Sequence, residues 1–144
     1  MPPTLVKQLA YHCVPACLES IAKDYGKNIG QSEIAKNYPQ VFSNGTLTDS
    51  SKLTEAVEGL GIGGPVSALD FKDLNQIYEL SKEHEILIIW TKVTSHCTRF
   101  CSYDPTLQQI TVMDPTEDVL QSYNLDKLNQ IVPKLFYFKK IKMP

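Results

Sequence analysis

The sequence predicts an α+β domain, with helices first and an antiparallel sheet second. Two patterns point there. Apolar residues recur at helical spacing through the first half, and apolar runs of strand length take over after Glu85. A third observation supports one unit: there is no repeat, no low-complexity tract and no interdomain linker.

At 144 residues the chain is long enough for one real core and too short for two ordinary ones, so a single domain over 1–144 is expected. Apolar residues make up 42% and charges are well mixed, which indicates an ordered globular protein. Net charge is -2, with nothing like the basic stripe of a nucleic-acid binder. The longest apolar run, Ile86-Leu87-Ile88-Ile89-Trp90, is strand-sized and far short of the roughly 20 residues of a membrane span. The start, Met1-Pro2-Pro3-Thr4, lacks the regions of a signal peptide. A cytoplasmic protein, or one exported without a recognisable signal, is the expectation.

The elements follow in order. Val14, Cys17, Leu18, Ile21, Ala22 and Tyr25 form one stripe of a helix from Cys13 to Tyr25. Pro15 suits its first turn and Gly26 its left-handed stop. A second helix is expected over Ser32 to Tyr38, ended by Pro39. Val41 to Thr48 reads as a loop turning at Asn44-Gly45. A third helix runs from about Asp49 to Leu60, with Leu53, Ala56, Val57 and Leu60 on one face and Gly61 after it. Val66 to Leu69 is a short strand, and Asp70 caps a fourth helix carrying Phe71, Leu74, Ile77 and Tyr78. Strands are then expected over Ile86 to Val93, His96 to Tyr103 and Ile110 to Asp114. A helix over Leu125 to Val132 and a strand over Leu135 to Ile141 close the chain.

Chemistry concentrates in a few residues. Cys13 opens a helix, and a helix N-terminus favours a thiolate through its dipole and free N–H groups. His96 opens a strand, and Asp114, in Met113-Asp114-Pro115, closes the next. Asp104-Pro105-Thr106-Leu107 between them looks like a turn. A hairpin centred near residue 105 sets His96 directly opposite Asp114, on a face completed by Thr98, Phe100, Ile110 and Val112. A slip of one residue would put them on opposite faces. A histidine can take a thiol proton, and a carboxylate can hold the imidazole.

The other thiols have plainer readings. Cys17 lies on the apolar stripe of the first helix, a packing position. Cys97 and Cys101 face away from His96, with Arg99 between them, and also read as packing residues. Four cysteines invite a zinc site, but Cys97 and Cys101 on one strand stand about 13 Å apart. Two ligands of one zinc lie only about 4 Å apart, so no metal is expected. The missing secretory signal argues for free thiols. His12 is read as a surface residue. His84 lies in the solvated stretch Lys82-Glu83-His84-Glu85 and receives no role. Trp90 is core or cleft wall.

With these residues in view, the chain resembles the papain-like cysteine peptidases of the bacteriocin-processing type, which remove double-glycine leader peptides, and their stand-alone relatives. The resemblance spans nearly the whole chain. Its first block is Gln8, then Cys13-Val14-Pro15-Ala16-Cys17-Leu18 at the head of a helix ending in Tyr25-Gly26. Its second block is His96 opening a strand and Asp114-Pro115 closing the next. Val14 stands where the family usually has glycine.

The resemblance implies a papain-like fold, with the N-terminal helical part packed on a C-terminal antiparallel sheet. It also implies a peptidase that needs no cofactor and acts on a peptide or protein substrate. Cys13 corresponds to the nucleophile, His96 to the general base, Asp114 to the residue orienting the imidazole and Gln8 to the side-chain donor of the oxyanion hole. On this reading Asp114 accepts the Nδ1–H of His96, leaving Nε2 for Cys13. The substrate could end in Gly-Gly. The same fold also carries silent peptide-binding modules, effector-type deubiquitinases and acyl transferases.

Overall fold

The computed structural model describes residues 3–9, 12–39, 42–43, 46–47, 49–90, 96–117 and 119–141. Its element order is α1 (Cys13–Asp24), α2 (Gln31–Asn37), β1 (Phe42–Ser43), β2 (Thr46–Leu47), α3 (Ser50–Leu60), β3 (Ser67–Asp70), α4 (Leu74–Ser81), β4 (His84–Trp90), β5 (His96–Asp104), β6 (Gln109–Asp114), β7 (Val119–Asn124), α5 (Leu125–Ile131) and β8 (Lys134–Lys139). The α+β class predicted from the sequence is what the chain adopts. Six strands form one antiparallel sheet in the order β3-β8-β4-β5-β6-β7, and β1 and β2 pair separately.

The sheet is covered on both faces. Leu87, Ile89, Cys97, Met113, Phe136 and Phe138 meet residues of α1, α2 and α3 in one apolar cluster. Ile86, Ile88, Trp90, Phe100, Val112 and Leu135 meet Leu74 and Ile77 of α4 and Leu128 and Ile131 of α5 in the other. The N-terminal helices therefore pack on the sheet as expected, but only on one face. The later helices occupy the second, which is why β4 reads as a continuous apolar run rather than an alternating one.

Helix α1 lies deepest, with every residue from Cys13 to Ala22 buried. A helix buried all round has to satisfy whatever polar groups it carries. Glu19 accepts from the backbone N–H of Gln31 (2.6 Å) and pairs with Lys23 (2.8 Å). Ser20 donates to the carbonyl of Thr4 (2.6 Å) and accepts from Arg99 (2.9 Å). Fully burying Leu18 and Ile21 contributes about 1.5–3 kcal/mol each. Gly26, at φ +78°, supplies the left-handed stop that its position predicted.

Several boundaries differ from the sequence reading for definable reasons. The cap of α4 is Asp73, not Asp70: Asp73 accepts from the N–H of Gln76 (2.8 Å), and Gln76 reaches back to the N–H of Lys72 (2.8 Å). Asp70 ends β3 instead. Part of the 41–48 loop pairs as β1 and β2, while its turn residues, Asn44 and Gly45, lie outside the described residues. Val93, the expected end of β4, also lies outside them. Glu85 is buried rather than solvated, because Arg99 takes its carboxylate. His12 and His84 are half-buried, and His84 Nδ1 lies 2.9 Å from the carbonyl oxygen of Leu80.

Candidate active site

Three chain segments converge at one end of the sheet. β4 ends at Trp90 opposite His96, the first residue of β5, and β6 ends at Asp114 opposite Val119, the first residue of β7. Cys13 starts α1, which runs along β5 so that Cys17 meets Cys97 (Sγ–Sγ 3.7 Å) and Ser20 meets Arg99 further on. Pro15, in the first turn of α1, needs no N–H there.

His96 and Asp114 do meet. His96 Nε2 lies 2.8 Å from Asp114 Oδ1 and 3.3 Å from Thr116 Oγ1. They meet diagonally rather than face to face. The pairs Arg99–Met113 and Phe100–Val112 carry on to set Asp114 opposite Thr98, one pleat from His96. The reason lies in the turn. Its loop residues are 105–108, with Gln108 in the left-handed region at φ 50°, and Asp104 Oδ1 accepts from the N–H groups of Thr106 and Leu107. That loop alone would shift the strands by an odd number of residues relative to the expected register, putting His96 and Asp114 on opposite faces. A β-bulge at Cys101, between Phe100 and Ser102, takes up the odd residue. Face parity is restored, and the expected face of Phe100, Ile110 and Val112 is recovered.

The tautomer expectation is corrected. Asp114 holds Nε2, not Nδ1, so Nδ1 is the nitrogen left for Cys13. Cys13 is a hydrogen-bonding and charged neighbour of this imidazole. Burial works against charge on His96, but the hydrogen bonds and negative charges of Asp114 and Cys13 outweigh it and push the imidazolium pKa up to about 10. Burial likewise opposes charge on Asp114. Hydrogen bonds from His96 and from the N–H of Thr116 (2.9 Å) outweigh it and hold the carboxyl below its usual range.

Gln8 lies on the extended segment before α1, and its N–H donates to the carbonyl of Pro115 (2.7 Å), next to Asp114. Its amide oxygen is buried and meets no hydrogen-bond partner among the described residues. Val14, at the position where glycine was expected, is 1% exposed and packs into the α1-side core.

Cys17 and Cys97 are fully buried, and Cys101 packs against the same cluster, as their positions predicted. Burial pushes the Cys97 thiol well up, and burial above all brings Cys101 to about 11. Trp90 resolves as core: it is buried, donates to Thr98 Oγ1 (2.9 Å) and lies against the Tyr123 ring.

Sequence reasoning missed one buried polar centre. Arg99 donates to Glu85 (3.1 and 3.3 Å), to Ser20 and to Asp24, and Asp24 also accepts from the N–H and hydroxyl of Thr4 (2.9 and 2.6 Å). An arginine between two core cysteines was the available signal, since such a charge demands partners. A cavity of about 270 Å³ adjoins this centre, lined by Asp24, His84, Glu85, Arg99 and Tyr103 among others, and none of Cys13, His96 or Asp114 lines it. Among the described residues no group of His, Cys, Asp and Glu could hold a metal ion, and no helix is long and apolar enough to cross a membrane.

No family model and no curated protein matches the sequence. Solved structures do match the fold. The peptidase domain of Streptococcus ComA, a bi-functional ABC transporter involved in quorum sensing, aligns with a TM-score of 0.66 at 20% identity, over 95% of this chain and 98% of that one. A protein described as a C39-like peptidase from Bacillus anthracis aligns at 0.64 and 14%, over 96% and 95%. The N-terminal peptidase C39 like domain of the toxin secretion ATP-binding protein from Vibrio parahaemolyticus aligns at 0.64 and 18%, over 93% and 100%. The chain has the fold of C39 peptidase domains.

Proposed function

We propose that this chain is a cysteine peptidase that hydrolyses a peptide or isopeptide bond, with Gly-Gly before the cut. The observation that carries the reading is one imidazole with two partners: Asp114 on Nε2 at 2.8 Å, and Cys13, at the start of a buried helix, as the other. The likeness in fold to C39 peptidase domains supports it. The raised His96 pKa favours the imidazolium, which is the partner a thiolate needs.

In the proposed reaction the Cys13 thiolate attacks the substrate carbonyl. The carbonyl π electrons move onto oxygen, where the Gln8 amide and the Cys13 N–H donate hydrogen bonds. His96 gives its proton to the departing nitrogen as the C–N bond breaks, leaving a thioester. The neutral imidazole then takes a proton from water, whose oxygen attacks the thioester. The acid leaves and the thiolate–imidazolium pair is regenerated. Asp114 keeps Nε2 occupied throughout and so presents Nδ1 to sulfur.

The test is hydrolysis of a fluorogenic peptide ending in Gly-Gly-aminocoumarin, by wild type and by Cys13→Ala. We expect turnover to vanish in the variant, while stability changes by about 1 kcal/mol. Brief iodoacetamide at pH 6 should label Cys13 alone. Unchanged turnover in Cys13→Ala would instead favour a peptide-binding module, and equal labelling of Cys97 would contradict the assignment of the nucleophile.

A further inference from the structure

Gln31 is the first residue of α2 and one of few buried polar side chains outside the candidate triad. Its carboxamide does not cap a helix and does not touch the triad. It bonds instead to the segment before α1, where Oε1 accepts the N–H of Leu9 (2.8 Å) and Nε2 donates to the carbonyl of Lys7 (2.8 Å). The two bonds straddle Gln8. One side-chain amide thus pairs with the backbone as a neighbouring strand would, offering one donor and one acceptor in strand register.

The other edge of this segment is held as well. The Gln8 N–H points the opposite way and donates to the carbonyl of Pro115 (2.7 Å). Pro115 follows Asp114, the residue that holds His96. The Gln8 backbone is therefore clamped between α2 and the corner that positions the imidazole. Gln31 is itself fixed to α1, since its own N–H donates to Glu19 Oε1 (2.6 Å), and Lys23 holds the other oxygen of that carboxylate (2.8 Å). The chain of bonds runs from the helix that carries Cys13, through Gln31, to the residue that the proposed reaction uses as an oxyanion donor. The amide oxygen of Gln8 is buried and meets no hydrogen-bond partner among the described residues, a cost that a functional side chain can carry.

We propose that Gln31 is a positioning residue for the oxyanion hole: its carboxamide aims Gln8 by fixing the backbone on either side of it. The assignment rests on the peptidase reading above. An oxyanion donor is worth about 10²–10³ in rate when it is in place. A donor displaced by under an ångström loses part of that, while substrate still binds.

The experiment compares two probes of one sulfur. A peptide aldehyde ending in Gly-Gly adds to the thiolate, forming a C–S bond and leaving its oxygen in the hole. Iodoacetamide alkylates the same thiolate with loss of iodide and forms no oxyanion. Gln31→Met keeps the shape and removes both bonds. Gln31→Glu keeps the acceptor for Leu9 and loses the donor to Lys7. We expect Gln31→Met to weaken aldehyde inhibition and lower kcat on the fluorogenic peptide about tenfold, with KM and the alkylation rate at pH 6 each within twofold. Gln31→Glu should fall between it and wild type. In a Gln8→Ala background, Gln31→Met should cost nothing further. Multiplying losses in the double variant, or alkylation falling in step with kcat, would make Gln31 merely structural and overturn the proposal. A wild type that alkylates quickly but neither binds the aldehyde nor cuts the peptide would overturn the peptidase reading itself, and this assignment with it.

Discussion

The contact between α1 and β5 is polar at both ends and apolar in the middle, and the two polar ends are built differently. At one end His96 sits between Asp114 and Cys13. At the other, Arg99 sits between Glu85 and Asp24. Fully buried Cys17 and Cys97 separate them. Both ends set a cation beside a carboxylate, so paired charge alone does not distinguish the candidate reacting centre from a structural one. The difference lies in the cation. Arginine cannot give up its proton, and Arg99 meets two carboxylates and a hydroxyl that do not react. The imidazole can pass a proton, and one of its two partners is a thiol, the group proposed above as the nucleophile. The Arg99 end ties α1 to β4 and β5, and in the proposed reaction the His96 end would use that placement.

The largest effect that would break this contrast is expected from Asp114→Asn. It should lower kcat/KM roughly 10³-fold, because an amide removes the charge and can favour the wrong tautomer. The pH dependence follows from the folded values. His96 is raised above the ordinary value of about 6.5, so its contribution to stability is full below that pH and fades as pH rises through about 10. Asp114 is lowered, so its contribution is present above about 4 and fades as pH falls through its depressed value. In Asp114→Asn the alkaline limb of kcat/KM should move to lower pH, together with the alkaline fall in melting temperature. A pH–rate profile identical to wild type would remove Asp114 from the mechanism.

Next comes Arg99→Met. Removing one partner of a buried pair leaves carboxylates uncompensated, and about 3–5 kcal/mol of stability should go. Denaturant unfolding measures this. Under conditions where the variant stays folded, its kcat should lie close to wild type. A folded variant with lost activity and intact stability would erase the distinction between the two ends.

The smallest effect sharpens the contrast from outside. Gln108 holds φ 50° in the exposed β5–β6 turn. Gln108→Gly should relieve that backbone and raise stability by about 0.5 kcal/mol, with activity unchanged. A changed kcat would mean that the turn's conformation reaches the candidate site.

How much of this was legible depended on whether a signal was local. The stripe from Val14 to Tyr25 was enough for α1, and the run Ile86 to Trp90 for β4, because side-chain periodicity reports burial directly. Strand β7 escaped, since Val119 to Asn124 is an edge strand none of whose residues is fully buried and which carries no apolar alternation. The meeting of His96 with Asp114 was legible in kind but not in register. The bulge at Cys101 leaves no mark in composition, and the imidazole nitrogen facing Asp114 depends on ring orientation, which strand pairing does not specify. The partners of Arg99 come from α1 and β4, at separations of 75 and 14 residues, and no spacing rule links such positions.

The bulge at Cys101 carries a consequence for how this hairpin can change length. The turn and the bulge each add an odd residue, and together they leave the pleat in phase. Deleting one residue from the turn while keeping the bulge would rotate His96 to the far side of the sheet from Asp114. Deleting one from the turn and the bulge together would not. Viable variants of this hairpin should therefore gain or lose residues in compensating pairs, so that indels at the 105–108 turn travel with indels at position 101, some 17 Å down the strand by the usual rise of about 3.3 Å per residue from His96.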